Sequence, residues 1–249
     1  MFKDKLTYKY QPIVDMFDLS LVRHEALLRI DSVTDIEGFT RELERTGQIA
    51  ELDLHTLESV ITHHKKAEDE ITTAVAINIS AISLIDASVQ RTMLDTLSKR
   101  PQTLEISLEI TESAPISDMA AAAKFVKQLQ DIGCSVGMDD YGDGYASLET
   151  LEQLHLDYLK LSACLTTNFL ESDVANLTIT KATKAAKAMG LKVVAEHIDN
   201  IRQYLSLKDM GIHYGQGWLF AKADELIIHP KQFQNELRAR IFQGIQDSF

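Results

Sequence analysis

Between residues 73 and 217 the chain alternates short apolar runs with longer stretches whose apolar positions recur every three or four residues. The short runs are "TAVAINIS" (73–80), "TLEISLEI" (103–110), "CSVGMDD" (134–140), "LDYLKLS" (156–162), "LKVVAEH" (191–197) and a brief one at "GIHYGQG" (211–217), and they read as strands. Ahead of them, "YKYQPIVD" (8–15) and "LSLVRHEALLRI" (19–30), separated by "MFD", read as an antiparallel hairpin. The longer stretches read as helices, among them 117–133, capped by Ser117 and stopped at Gly133, and 173–190, stopped at Gly190. Eight strands joined mostly by helical crossovers predict an α/β fold, a TIM-like (β/α)8 barrel with one antiparallel strand at the N-terminal hairpin. A length of 249 residues with no Pro/Gly/Ser linker makes 1–249 one expected domain.

Polar residues interrupt these apolar runs late, where a barrel collects its working groups at the C-terminal ends of its strands. The ends carry Glu25, Asn78, Glu109, the adjacent Asp139 and Asp140, Lys160, Glu196 and Gln216. "GMDDYGDGYASL" (137–148) alone would pass for a solvated turn, since turns select Asp and Gly. So many acids converging on one rim make that reading untenable, because each buried unpaired ion costs several kcal/mol unless cations compensate. Carboxylate and amide oxygens suit Mg2+ or Mn2+, whereas zinc prefers His and Cys, which do not recur at these ends. Adjacent aspartates suit two ions about 3.5–4 Å apart, one carboxylate bridging and the next reaching the second ion. Lys160 would then steady a nucleophilic water or the charge developing on phosphorus.

The net charge of −12 excludes long nucleic acid as a partner, which needs clustered Lys and Arg, but leaves room for a small anion approached through metal. No run of about 18 apolar residues and no apolar N-terminal segment is present, so a cytoplasmic location is expected. Cys134 and Cys164, in apolar sequence, are expected to be buried free thiols. "DDYGDG" fails as a calcium loop because Tyr141 takes a ligand position and Thr150 stands where a bidentate acid belongs. His63 and His64, with Lys65 and Lys66, fit a helix C-terminus better than a metal site. "AAAA" (120–123) reads as a helix packed on the barrel, and His24 as a structural residue on the face opposite Glu25. Helix 147–155 offers a dimer surface.

Seven motifs occur in order from Tyr8 to Phe220: "HEALLR" (24–29), "NIS" (78–80), "EITE" (109–112), "DDYGDGYASL" (139–148), "LKL" (159–161), "AEHID" (195–199) and "YGQGWLF" (214–220). Together they resemble the EAL-domain phosphodiesterases. The resemblance implies a barrel with one antiparallel strand and Mg2+- or Mn2+-dependent hydrolysis of cyclic di-GMP to linear pGpG, with a homodimer as the assembly. It implies Glu25, Asn78, Glu109 and Asp139 as ligands of the first metal, and Asp139 with Asp140 as ligands of the second. Glu196, Lys160 and Gln216 would complete the metal and water arrangement. Gln11 and Arg29 would contact substrate, Leu27 would pack beside it, and Glu112 would anchor the loop after Asp140.

The chain departs from the family pattern at Asp143, Ala146, Ser162, His197, Ile198, Asp199 and Trp218, none of them a matched metal ligand. Ser162 stands where an aspartate is usual. Two residues beyond Lys160 on a strand, it is expected to face the site and leave the ammonium loosely held, unless another group such as Asp199 takes over. A cyclic di-GMP receptor without turnover and a protein antagonist built on the same barrel are the competing readings.

Overall fold

The computed structural model describes residues 5–31, 33–66, 72–111, 115–144, 147–226 and 229–247, apart from the side chains of 65 and 66. Glu112 and Ala146 lie outside the described residues. The eight strands are β1 (Leu6–Asp15), β2 (Leu21–Ile30), β3 (Thr73–Ile79), β4 (Leu104–Ile110), β5 (Ser135–Tyr141), β6 (Tyr158–Leu161), β7 (Lys192–Ala195) and β8 (Tyr214–Gly215). They close into a barrel in sequence order. Strand β1 runs antiparallel to both β2 and β8, and every other neighbouring pair is parallel. Asp15 makes the hairpin turn by accepting from the N–H groups of Phe17 (2.7 Å) and Asp18 (3.1 Å).

Helices α1 (Ile36–Thr46) and α2 (Ile49–Lys66) follow the hairpin, then α3 (Ala81–Ile85), α4 (Ala87–Ser98), α5 (Met119–Asp131), α6 (Leu148–Leu154), α7 (Ala163–Asn168), α8 (Asp173–Met189), α9 (Ile201–Asp209) and α10 (Pro230–Gln246). Among the described residues, no helix is long and apolar enough to cross a membrane. Helix α8 stops at Gly190 in the left-handed conformation, as its sequence predicts. Helix α5 is capped by Asp118 rather than Ser117: the Asp118 carboxylate, one position nearer the first turn, accepts from Ala121 N–H at 2.9 Å.

The late strands are shorter than their apolar runs suggest. β7 ends at Ala195 because His197 takes a left-handed φ of 50°, and β8 is cut short at Gly217, where φ is 158°. A Cβ on Gly217 would fall 2.2 Å from Ile198 O, so only glycine permits this approach. The two chains stay joined there by Ile198 N–H to Gln216 O (3.0 Å) and Leu219 N–H to Ile198 O (3.0 Å). Glu196 and Gln216 therefore lie just past their strands, on a rim held by backbone bonds.

Most of the core lies between strands and helices, in one cluster that includes Ala122, Phe125, Val126 and Leu129 of α5 with Leu108 and Val136 of the strands. A smaller cluster of Ile13, Tyr158 and Val194 fills the barrel interior. His24 is buried opposite Glu25, and burial holds its imidazole down at about 4, consistent with a neutral structural residue. His64 bonds Thr103 at 3.0 Å and the His63 ring lies 5.7 Å from the Tyr10 ring, near the C-terminal end of α2. Cys134 is buried, but Cys164 is exposed, contrary to expectation, because it falls on the first turn of α7 at the rim.

Asp53 of α2 accepts from Ser80 N–H at 2.9 Å and so ties α2 to the turn that leads from β3 into α3. Burial pushes its carboxyl up to about 7. A folded value above the unfolded one stabilises the protein fully below about pH 4, and that contribution is lost as pH rises through about 7. Asp53→Asn keeps the acceptor without the charge, so its advantage in thermal midpoint over the wild type should widen between pH 5 and pH 8 by roughly 5 °C or more. Parallel midpoints at both pH values would contradict the assignment.

Candidate metal centre

Strand parity carries four of the polar ends onto the inner face of the barrel. Glu25 pairs in register with Ala76, Asn78 with Glu109, and Lys160 with Val194, and alternate residues of each strand share the barrel's inner face. Asp139 and Asp140 would point to opposite faces of a regular strand. Here the β5–β6 register shifts between Met138 and Tyr141, and Asp140 takes a left-handed φ of 54°. This bulge re-aims Asp140 so that both aspartates line the same cavity.

Lys160 is the hub. Its Nζ lies 2.7 Å from Asp139, 2.8 Å from Glu196, 2.9 Å from Glu109 and 3.2 Å from Glu25, and its side chain is 0% exposed. Burial alone would lower the ammonium's pKa, but Asp139, Glu109, Glu196 and Glu25 together raise it well above the lysine range. The acids divide. Burial pushes Glu25 up, yet Lys160 and amide donors from Gln216 (2.7 Å) and Asn78 (3.0 Å) outweigh it and hold the carboxyl below its usual value. Burial raises Glu109 to about 7 despite Lys160, with Glu25 and Asp139 adding to the rise. Burial and then the neighbouring Asp139 raise Asp140 to about 7, and burial raises Asp139 and Glu196 as well.

One ammonium cannot neutralise this many carboxylates. Two groups bring ligand oxygens within 4.8 Å of one another, Glu25–Glu109–Asp139 and Asp139–Asp140–Glu196, and they share Asp139. Asn78 Oδ1 is buried with no hydrogen-bond partner among the described residues, although its Nδ2 donates to Glu25. An all-oxygen donor set, surplus negative charge and an orphaned amide oxygen fit hard divalent cations, and the shared aspartate fits a bridged pair.

The cluster floors a cavity of about 720 Å3. Gln11, Leu27 and Arg29 line it with Asn78, Asp139, Asp140, Glu196 and Gln216. Gln11 links to the acids through Gln216 Nε2, which donates to its Oε1 at 3.2 Å. Leu27 is half-buried, and Arg29 is exposed with Nη1 donating to Leu28 O at 2.8 Å. Four departures from the family pattern, Asp143, His197, Asp199 and Trp218, line the same cavity. Trp218 donates its N–H to Asp199 Oδ1 at 3.1 Å, and Lys222 sits 4.7 Å from its ring.

The expectation for Ser162 is wrong. β6 ends at Leu161, so Ser162 opens α7 instead of continuing the strand, and its Oγ lies 3.2 Å from Cys164 Sγ. Nor does Asp199 replace it as the partner of Lys160, which the four carboxylates hold directly. The sequence reading also passed over Tyr158, fully buried, whose OH donates to Glu109 Oε1 at 2.9 Å. Its inward parity with Lys160, two residues on, was the available signal.

Lys160→Met keeps the length and removes the cation. Leaving the carboxylates unpaired should lower the thermal midpoint in chelator by roughly 5–10 °C, and excess Mn2+ should raise the variant's midpoint more than the wild type's. An unchanged midpoint in chelator would show that the ammonium does not offset the acids.

A family model described as EAL domain matches residues 2–223. Among curated relatives, the probable cyclic di-GMP phosphodiesterase PdeB of Escherichia coli K12 is 29% identical over 227 residues, which cover 86% of this chain and 42% of that protein. The cyclic di-GMP phosphodiesterase PdeR of the same organism is 28% identical over 242 residues, 94% of this chain and 36% of that protein. The chain thus spans less than half the length of either relative. The solved PaMucR phosphodiesterase, a c-di-GMP complex, shares the fold with a TM-score of 0.78 at 24% identity, over 89% of this chain and 93% of that one. With the family model matched over nearly its whole length, this chain belongs to the EAL domain family.

Proposed function

We propose that this chain is a metal-dependent phosphodiesterase that hydrolyses one phosphodiester bond of cyclic di-GMP to give linear pGpG. The observation that carries the reading is the pair of carboxylate groups sharing Asp139 at the floor of a ligand-sized cavity. Two relatives named as cyclic di-GMP phosphodiesterases support it. Glu25, Asn78, Glu109 and Asp139 would hold the first ion, and Asp139, Asp140 and Glu196 the second, with Mg2+ or Mn2+ favoured by the oxygen donors. When bound, such a pair supplies Lewis acidity at a phosphoryl oxygen and a nucleophilic water near neutral pH.

The chain's own groups supply the rest. Lys160, anchored from four sides, presents a fixed positive charge where charge develops on phosphorus. Gln216 fixes Glu25 and Gln11 through one amide nitrogen, so the substrate side and the metal side of the floor move as one piece. Arg29 can fork two phosphate oxygens, and Leu27 offers apolar contact beside it. Exposed Leu148 on α6 is where the homodimer expectation attaches, and the free thiols of Cys134 and Cys164 suit a reducing, cytoplasmic compartment.

Purified protein incubated with cyclic di-GMP and Mg2+ or Mn2+ should yield pGpG by chromatography. Chelator should abolish the product, and Ca2+ should support it poorly because its coordination is longer and looser. Tight binding without product in either metal would favour the receptor reading instead. Asp140→Asn should lower kcat on the order of 100-fold or more while leaving substrate affinity near the wild-type value. Wild-type turnover in that variant would remove Asp140 from the site.

A further inference from the structure

Beneath the acids, Arg23, Ser107 and Tyr158 stand two residues before Glu25, Glu109 and Lys160 on their strands and form a second inward layer. Glu109, Gly137 and Tyr158 form one cross-strand row, Glu109 pairing with Gly137 and Gly137 with Tyr158. Gly137 contributes no side chain to the row. The Tyr158 ring occupies the place it leaves: a Cβ at 137 would lie 2.3 Å from Tyr158 Cε2 and 2.5 Å from Cζ. The ring thereby spans an entire strand, and its hydroxyl reaches Glu109 Oε1 at 2.9 Å.

The ring is held from other sides as well. The Arg23 guanidinium carbon lies 4.4 Å from the ring centroid, and Arg23 Nη1 donates to Ser107 Oγ at 2.6 Å, on the same strand as Glu109. Ile13 and Val194 pack with the ring in the barrel's interior cluster. A tyrosine with 1% exposure, seated over a glycine and stacked by an arginine, has little freedom to move its hydroxyl.

We infer that Tyr158 is a positioning residue for the metal centre, acting through Glu109, with Gly137 as the seat that makes its reach possible. The inference rests on reading Glu109 as a metal ligand. Glu109 Oε2 is engaged by Lys160 at 2.9 Å, so the phenol and the ammonium each hold one oxygen and together fix the plane of the carboxylate. A ligand so oriented loses less freedom when it binds a cation, which is how outer partners raise affinity at metal sites.

The test is Mn2+ titration by calorimetry on the whole chain without substrate, alongside steady-state kinetics. Tyr158→Phe keeps the ring, its stacking and its packing and removes only the hydroxyl. It should weaken Mn2+ binding about 10- to 100-fold. It should also lower kcat at limiting Mn2+, recover at high Mn2+, and leave KM for the nucleotide unchanged. Gly137→Ala retains the hydroxyl but unseats the ring, and should weaken Mn2+ in the same direction. Wild-type Mn2+ affinity in Tyr158→Phe overturns the inference, and so does loss of the folded state in that variant, since the phenol would then serve the fold alone. Failure of the wild-type protein to bind Mn2+ is a separate result: it defeats the metal-centre reading and takes this inference with it.

Discussion

The arrangement at the barrel's C-terminal rim depends on one buried ammonium. Lys160 lies within 3.2 Å of four carboxylates from four strands or strand ends, so a single cation fixes the relative positions of β2, β4, β5 and the segment after β7. Such a cluster is not a device for stability. Desolvating several acids costs more than one lysine returns, and Glu109, Asp140 and Glu196 show the residual strain as raised pKa values driven first by burial. A fold tolerates that arrangement when a further cation completes it, and so the electrostatic deficit and the proposed chemistry have one origin.

The sequence discloses the parts of this site that follow strand parity. Glu25, Glu109 and Lys160 sit inside regular strands, and a period of two is enough to send them inward, opposite the apolar residues that face the helices. What departs from parity is not legible. Nothing in "GMDDY" announces that Asp140 adopts φ 54° at a register shift, although only this lets adjacent aspartates share a cavity. Ser162 illustrates the converse: continuing the period by one step places it in the site, whereas the strand has already turned into a helix. Helix caps fail similarly at the scale of one residue, as Asp118 displaces Ser117.

Tyr158 escaped notice for a different reason. An aromatic residue within an apolar run reads as core, and by burial it is core. Its polar role is visible only through Gly137 on the neighbouring strand and Glu109 on the one beyond, residues 21 and 49 positions away in sequence. Beyond the inward parity that Tyr158 shares with Lys160, local patterning carries no information about such a row. It comes into existence only when the barrel closes with this register.

The two layers inside the barrel complement each other. In the upper one, acids outnumber their single lysine and the mismatch suits the proposed cations; in the lower one, Arg23, Ser107 and Tyr158 have each found a partner. Arg23 donates to Ser107 and lies over Tyr158, and Tyr158 donates upward to Glu109. Placing the satisfied network below the unsatisfied one gives the acids a floor that does not rearrange with their charge. A carboxylate layer set directly on aliphatic packing would have no donors beneath it and would relax by protonation or rotation. The lower layer thus does for Glu109 what Asn78 and Gln216 do for Glu25: it fixes a carboxylate before any cation arrives.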